Sequence, residues 1–111
     1  MAKFVVCKNP QFTHKVKVQV PVNGGFETQD FDATFNVVPT DEVGDYDLSS
    51  GAGSTDFLRR AVDSLADLVD ESDQPITYND GVRDLLFGQL YVRRALVRTY
   101  FDAVSGAQAG N

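Results

Sequence analysis

Residues 15–37 read KVKVQVPVNGGFETQDFDATFNV, and this stretch decides the fold class of the chain. Apolar residues occupy every second position in its two halves, which is the pattern of strands with one buried face. These positions are Val16, Val18, Val20 and Val22 in the first half and Phe31, Ala33, Phe35 and Val37 in the second. Between the halves, Asn23-Gly24-Gly25 tolerates positive φ and favours a hairpin turn. The stretch therefore predicts an antiparallel hairpin.

The flanking segments complete a β region at residues 1–39 and lead into a connector. Upstream, the run KFVV at residues 3–6 precedes the breaker Asn9-Pro10 and predicts a third strand. Downstream, residues 40–55 combine glycines with acidic residues, so we expect a flexible, solvated connector there. With 111 residues, the chain is expected to form a single domain, residues 1–111, with a modest hydrophobic core.

Helical periodicity begins after the connector and continues through a helical region at residues 56–106. Apolar residues recur at spacings of three and four from Asp56 to about Val69, which predicts a first helix with one apolar stripe. Ser54 or Thr55 would cap its N-terminus, because a hydroxyl oxygen can accept a hydrogen bond from the first free backbone N–H groups.

Two further helices are predicted in the C-terminal third. The spacing of Thr77 and Asp80 resembles a capping box, so a second helix should start there. Gly88 should bend or break it, because glycine is a poor helix former. The last helix is predicted from about Leu90 to Val104, and Gly106 is a suitable residue to close it.

The last helix has two faces in this prediction. Its expected core face comprises Val92, Ala95, Leu96, Thr99 and Ala103. The residues turned more to the other side are Tyr91, Arg94, Arg98 and Phe101. The predicted fold class is therefore α+β, with a small antiparallel sheet or hairpin in the N-terminal third and about three helices packed on it.

The composition restricts the partners and the location of the chain. The net charge is −6, and residues 40–80 hold eleven acidic residues against two arginines. That segment would repel phosphates, so no nucleic-acid partner is expected. No membrane association is expected either, because no apolar run approaches the roughly 20 residues of a membrane helix. The short apolar run at the start predicts no secretion signal, and a single cysteine fits a reducing cytoplasm.

The residues offer little for catalysis. Cys7 and His14 are the only pair that could act as nucleophile and base, and both lie on or beside predicted strands with no further histidine to assist. A small apolar cysteine and a strand-end histidine explain the pair without any reaction. The sequence therefore predicts that the protein is not an enzyme.

A calcium-loop spacing in residues 45–56 is similarly incomplete. The oxygen-bearing residues at loop positions 1, 3, 5 and 12 are Asp45, Asp47, Ser49 and Asp56. Ser50 replaces the glycine that the sharp turn requires, the last position is Asp instead of the usual Glu, and no predicted helix precedes the loop. We therefore expect a solvated acidic segment there, and no metal or other cofactor.

The segment FGQLYVRRALVRTYF, residues 87–101, carries the remaining signal. Tyrosine and arginine are favoured at the centres of protein interfaces. The candidate partner-binding residues are Tyr91, Arg94, Arg98 and Phe101. The alternative is that the two aromatic residues complete the domain's own core and the arginines are merely solvated.

The order of these parts resembles the tail assembly chaperones of long-tailed bacteriophages, most closely in residues 57–111. DESDQPITYND at residues 70–80 stands in the place of the family segment D-x-x-G-x-P-x-x-F-S-x-E and keeps its Ser or Thr as Thr77. A helix beginning VRDLL follows, and then VRRALVRTYFDAVSGAQAGN with the family's Ala-Leu pair and closing Gly-Asn. Many members carry a tryptophan on the first helix, where this chain has Leu65 or a neighbour.

The resemblance implies a non-catalytic protein that binds the tape-measure protein, a long helical chain that sets tail length, and keeps it soluble. It also implies recruitment of tail-tube subunits, action in the host cell cytoplasm and absence from the mature virion. The helices at residues 57–69 and 90–104 would carry the contact. A free sheet edge in such a protein could also pair with another copy, which would give a homo-oligomer.

Three other functions remain open from the residues alone. A minor structural virion protein of the tail or head would be found in purified particles. A host adaptor or binding module would have no viral gene neighbours. A small thiol enzyme would depend on Cys7, and replacing that residue with serine would abolish its activity.

Overall fold

The computed structural model describes residues 1–106, which fold into an antiparallel sheet and four helical segments. Strands β1 (Gln11–Val22) and β2 (Gly25–Asn36) are the predicted hairpin, joined by a two-residue turn in which Gly24 has φ of 78°. Their register sets Val22 opposite Gly25 and Gln11 opposite Asn36. The α+β prediction is confirmed, because helices follow and cover one face of this sheet.

The third strand is β3 (Val62–Ala66), so the prediction of a strand at residues 3–6 was wrong. β3 pairs antiparallel with β2, which gives the sheet order β1-β2-β3 and covers the second edge of β2. The predicted first helix, residues 56–69, therefore ends early and continues as a strand. Val62 and Leu65 belong to the apolar stripe of the predicted helix and are buried in the strand, because a short apolar run does not by itself distinguish a helix from a strand.

The predicted flexible connector, residues 40–55, is largely folded. It contains the single-turn helix α1 (Thr40–Val43) and the first half of α2 (Gly51–Ala61). The N-cap of α2 is Ser50, whose side-chain oxygen accepts from Gly53 N at 2.9 Å, so neither Ser54 nor Thr55 is the cap. A Cβ on Gly53 would lie 2.0 Å from the carbonyl oxygen of Asp47, so close packing explains this glycine.

The two C-terminal helices follow the prediction closely. Helix α3 (Asp80–Phe87) stops at Gly88, and α4 (Leu90–Val104) has the predicted bounds, with Gly106 at φ of 80° just beyond it. The cap of α3 is Asn79, whose side chain accepts from Val82 N at 2.9 Å, and not the predicted Thr77. The closing Gly110-Asn111 of the family resemblance lies outside the described residues.

The core lies between the sheet and helices α2, α3 and α4. Aromatic rings form its centre, with Tyr100 5.6 Å from Phe35 and 5.2 Å from Phe57 between ring centroids. The Tyr100 hydroxyl accepts from the buried Val38 N at 2.8 Å, which joins α4 to the end of β2. Val38, rather than the predicted Val37, is the fully buried residue there.

The predicted faces of α4 are only partly as expected. Val92, Leu96 and Thr99 are buried, while Ala95 and Ala103 are half-buried. Tyr100 is also buried at 1% exposure, although the sequence did not place it on the core face. Tyrosine is the largest of these side chains, and its hydroxyl has a partner in the core, so its burial is favourable.

Candidate functional site

A groove of about 820 Å³ runs between the outer edge of β1 and helix α4. Its strand side consists of His14, Lys15, Lys17, Gln19 and Pro21. Its helix side consists of Leu90, Tyr91, Arg94, Ala95, Arg98, Thr99 and Asp102. We call this feature the β1–α4 groove. Its helix wall is held in place from behind, because Leu96 and Tyr100 of α4 are buried against the rest of the core.

The backbone of β1 faces the groove at its odd-numbered residues. A two-residue turn makes Val22 and Gly25 a hydrogen-bonded pair, so the even-numbered residues of β1 exchange hydrogen bonds with β2. Pro10 O accepts from Val37 N at 2.9 Å, which continues the same alternation. In residues 1–106, β1 pairs with β2 alone. The N–H and C=O groups of its odd-numbered residues therefore point to an open edge.

Two residues mark the ends of this open edge. At one end, the half-buried His14 donates from Nδ1 to Lys15 O at 2.9 Å and so covers one edge carbonyl. At the other end, Pro21 has no N–H group to donate. Proline fits inside an edge strand where its nitrogen points away from the paired strand. Between these two ends, Lys17 and Gln19 each have a backbone N–H and C=O free to pair with another strand. The open edge is thus short and has a defined start and finish.

The groove is positively charged although the whole chain is negative. Arg94 and Arg98 are exposed, and neither forms an ion pair with a described residue. Lys17 is likewise free of ion pairs within residues 1–106, and Asp102 is the acidic residue in the lining. Unpaired cations along an open strand edge attract an anionic partner.

Lys15 differs from these cations because it is paired on the open face of the sheet. Its Nζ lies 3.5 Å from Asp30 and 3.7 Å from Asp32 on β2. The charge of Asp30, followed by that of Asp32, raises the pKa of Lys15 above its ordinary value. Lys15 therefore contributes less unbalanced charge to the groove than its neighbours on α4.

The four predicted partner-binding residues do not share one surface. Tyr91, Arg94 and Arg98 line the β1–α4 groove, whereas Phe101 stacks on Phe57 with ring centroids 5.5 Å apart and planes 14° from parallel. In the predicted contact helix at residues 57–69, Phe57, Leu58 and Ala61 are fully buried, and the helix itself ends at Ala61. On the described helices, the exposed large apolar side chains are Leu85 of α3 and Leu90 and Val104 of α4.

The residues considered for catalysis or metal binding either lie on separate segments or form hydrogen bonds with their neighbours. Cys7 is exposed on the N-terminal arm, while His14 lies on β1 with its ring bonded to the backbone. Asp47 accepts from Ser49 Oγ at 2.6 Å and from Ser49 N at 3.1 Å, and these bonds lower the pKa of its carboxyl group. Within residues 1–106, no three His, Cys, Asp or Glu side chains converge as a metal site.

Sequence reasoning missed the strand side of the groove. His14, Lys17 and Gln19 were assigned to a strand, but nothing local showed that the edge of this strand is open. Pro21 was the one available signal, because proline inside a strand indicates an edge position. The position of α4 beside that edge depends on contacts between residues about 80 positions apart, and periodicity does not report such contacts.

No protein-family model, curated protein or solved structure matches this chain. In the part of the chain that the structure describes, the helices are all too short or too polar to cross a membrane.

Proposed function

We propose that this protein is a non-catalytic tail assembly chaperone of a long-tailed bacteriophage or prophage. It binds the tape-measure protein in the host cytoplasm, keeps it soluble, helps recruit tail-tube subunits and leaves before the virion is complete. The resemblance of residues 57–111 to that family supports the proposal. The net charge of −6 is also suited to keeping an aggregation-prone partner in solution.

The observation that carries the proposal is the pair of exposed leucines where α3 meets α4. Leu85 is 67% exposed and Leu90 is 54% exposed, although both lie on helices that otherwise contribute to the core. A long unassembled helical chain exposes apolar stripes that aggregate, and an apolar helix surface can cover such a stripe. These two leucines form part of the proposed contact.

Co-expression tests this function. The flanking genes come first: a tail-tube-like gene and a very long helix-rich reading frame beside this gene would identify the partner. We expect wild-type protein to move that long product into the soluble fraction, and Leu85→Ser with Leu90→Ser to lose the effect. Phe26→Ser with Val69→Ser is the matched control, because these residues have the same exposures, 67% and 54%, elsewhere on the surface.

Two results would contradict the proposal. One is a wild-type protein that leaves the long product insoluble. The other is a leucine double variant that folds, shown by an unchanged unfolding transition, and still solubilises the product as well as the control does. Detection of the protein in purified particles would favour a structural virion component instead.

A further inference from the structure

We propose that the β1–α4 groove binds an extended, acidic segment of a partner protein, which adds to β1 as a fourth strand of the sheet. This inference rests on the proposed function only for the identity of the partner. It shares Leu90 with the exposed leucine pair but uses a different mode of binding, in which the backbone of β1 makes the main contacts.

The backbone of β1 supplies the first argument. Its odd-numbered residues turn their backbone groups to the groove, and Lys17 and Gln19 have both the N–H and the C=O free. A strand in this position would pair with them as β2 pairs with the even-numbered residues. The edge from Lys15 to Pro21 is about 20 Å long at ~3.3 Å per residue. The facing helix from Leu90 to Asp102 is about 18 Å long at ~1.5 Å per residue. The two walls are similar in length, and about six extended residues fit between them.

The side chains of α4 supply the second argument, because they determine which segment is accepted. Ala95 and Tyr91 offer small and apolar surface inside the groove, while Arg94 and Arg98 are exposed at its side. In an added strand, alternate side chains point to opposite faces of the sheet, so one set faces the helix. Acidic residues in that set would meet two arginines that have no ion-pair partner among the described residues.

The N-terminal arm of a second copy is the main rival occupant. The arm leaves Phe4 93% exposed and Val6 89% exposed, and it has the residue types of a strand. However, it also carries Lys3 and Lys8. These positive charges would lie against the arginines of α4, and like charges brought together oppose binding. Charge complementarity therefore favours an acidic partner over a second copy.

Hydrogen exchange measured by NMR tests the inference on the full-length protein. The probe is the blocked heptapeptide Glu-Val-Asp-Val-Glu-Val-Asp, and its control carries lysine at each acidic position. We expect the acidic peptide to slow exchange at Lys17 and Gln19 by at least about tenfold, because these amides gain hydrogen bonds. The amides of Val16 and Val18, which already bond to β2, should change little.

Variants connect the effect to the groove. Arg94→Glu with Arg98→Glu should remove the protection by the acidic peptide. Lys3→Glu with Lys8→Glu makes the same change in net charge on the exposed arm and should leave the protection intact. Methylation of the peptide nitrogens that face β1 should also abolish it, whereas methylation of the alternate nitrogens should not.

Three results would overturn the inference. The first is no change at Lys17 and Gln19 with millimolar acidic peptide. The second is equal protection by the lysine peptide. The third is protection that appears without peptide, rises with protein concentration and disappears when residues 2–6 are deleted, since it would identify a second copy as the occupant.

The result of this experiment is separable from that of the co-expression test. If the long product is solubilised but the peptide protects no edge amide, the groove inference fails and the chaperone proposal stands. If the edge amides are protected but the long product stays insoluble, the chaperone proposal fails and the groove still binds extended acidic segments.

Discussion

The base and the tip of the hairpin share one sequence pattern but differ in what covers them. At the base, Val16 and Phe35 are both fully buried. At the tip, Val22 is 47% exposed and Phe26 is 67% exposed, although Val22 continues the same alternation. Alternation therefore determines which face a side chain lies on, whereas the helices determine whether that face is covered.

The largest expected effect separates the two phenylalanines of β2. Phe35→Ala should destabilise the protein by about 3–5 kcal/mol, because it leaves a cavity among packed aromatic rings. Phe26→Ala should cost less than about 1 kcal/mol, because its ring is mostly in water. Urea unfolding of both variants measures the difference. Equal losses in the free energy of unfolding would mean that the tip is covered in solution, and the tip and the base would then not differ.

The next effect separates two tyrosines of α4. Tyr100→Phe should cost about 1–3 kcal/mol, because the buried Val38 N–H loses its acceptor. Tyr91→Phe should stay within about 0.5 kcal/mol, because the Tyr91 hydroxyl has no hydrogen-bond partner among the described residues. The same unfolding measurement applies to both. A Tyr100→Phe variant as stable as the wild type would show that the hydroxyl does not join α4 to the base of the hairpin.

Local signals explain which elements the sequence could predict. The hairpin follows from alternation around Asn23-Gly24, and α4 follows from Gly88 before it and Gly106 after it. By contrast, β3 forms because the second edge of β2 is open to it, which is a tertiary effect. The N-terminal run at residues 3–6 has good strand residues but no such pairing, so propensity alone gave the wrong strand.

The groove shows the same division between local and tertiary information. Tyrosine and arginine composition identified Tyr91, Arg94 and Arg98 on its helix side. The stripe that carries them also includes Phe101, because helical spacing alone does not show that α2 lies beside it and offers Phe57 for stacking. Only the packed structure separates a side chain that faces a groove from one that faces another helix.

A smaller effect should come from the helix that covers the base. Ser50→Ala removes the cap of α2, whose residue Phe57 packs against the aromatic core, and should cost about 1 kcal/mol. Ser72→Ala is the control, because its side chain lies exposed in a loop, and it should change stability by less than about 0.5 kcal/mol. If the two variants unfold alike, the cap does not contribute to covering the base.

The smallest expected effect lies on the open face of the hairpin, where Lys15 is paired with Asp30 and Asp32. Exposed ion pairs contribute little and are weakened by salt, so Lys15→Gln should cost less than any core change above. Lys17→Gln is the matched control, since Lys17 lies on the same face without an ion pair in residues 1–106. The difference between the two variants should shrink in high salt.

The pH dependence of this pair has a defined sign. Pairing raises the pKa of Lys15 above 10.5, so its contribution is complete below pH 10.5 and is lost as the pH rises through the folded-state pKa. The stability difference between wild type and Lys15→Gln should therefore be constant across neutral pH and fall in the alkaline range, where Lys15 loses its proton. A difference that never depended on pH or salt would mean that Lys15 acts through packing of its aliphatic stem on the strand. Packing would then stabilise the open face of the hairpin as it stabilises the covered face.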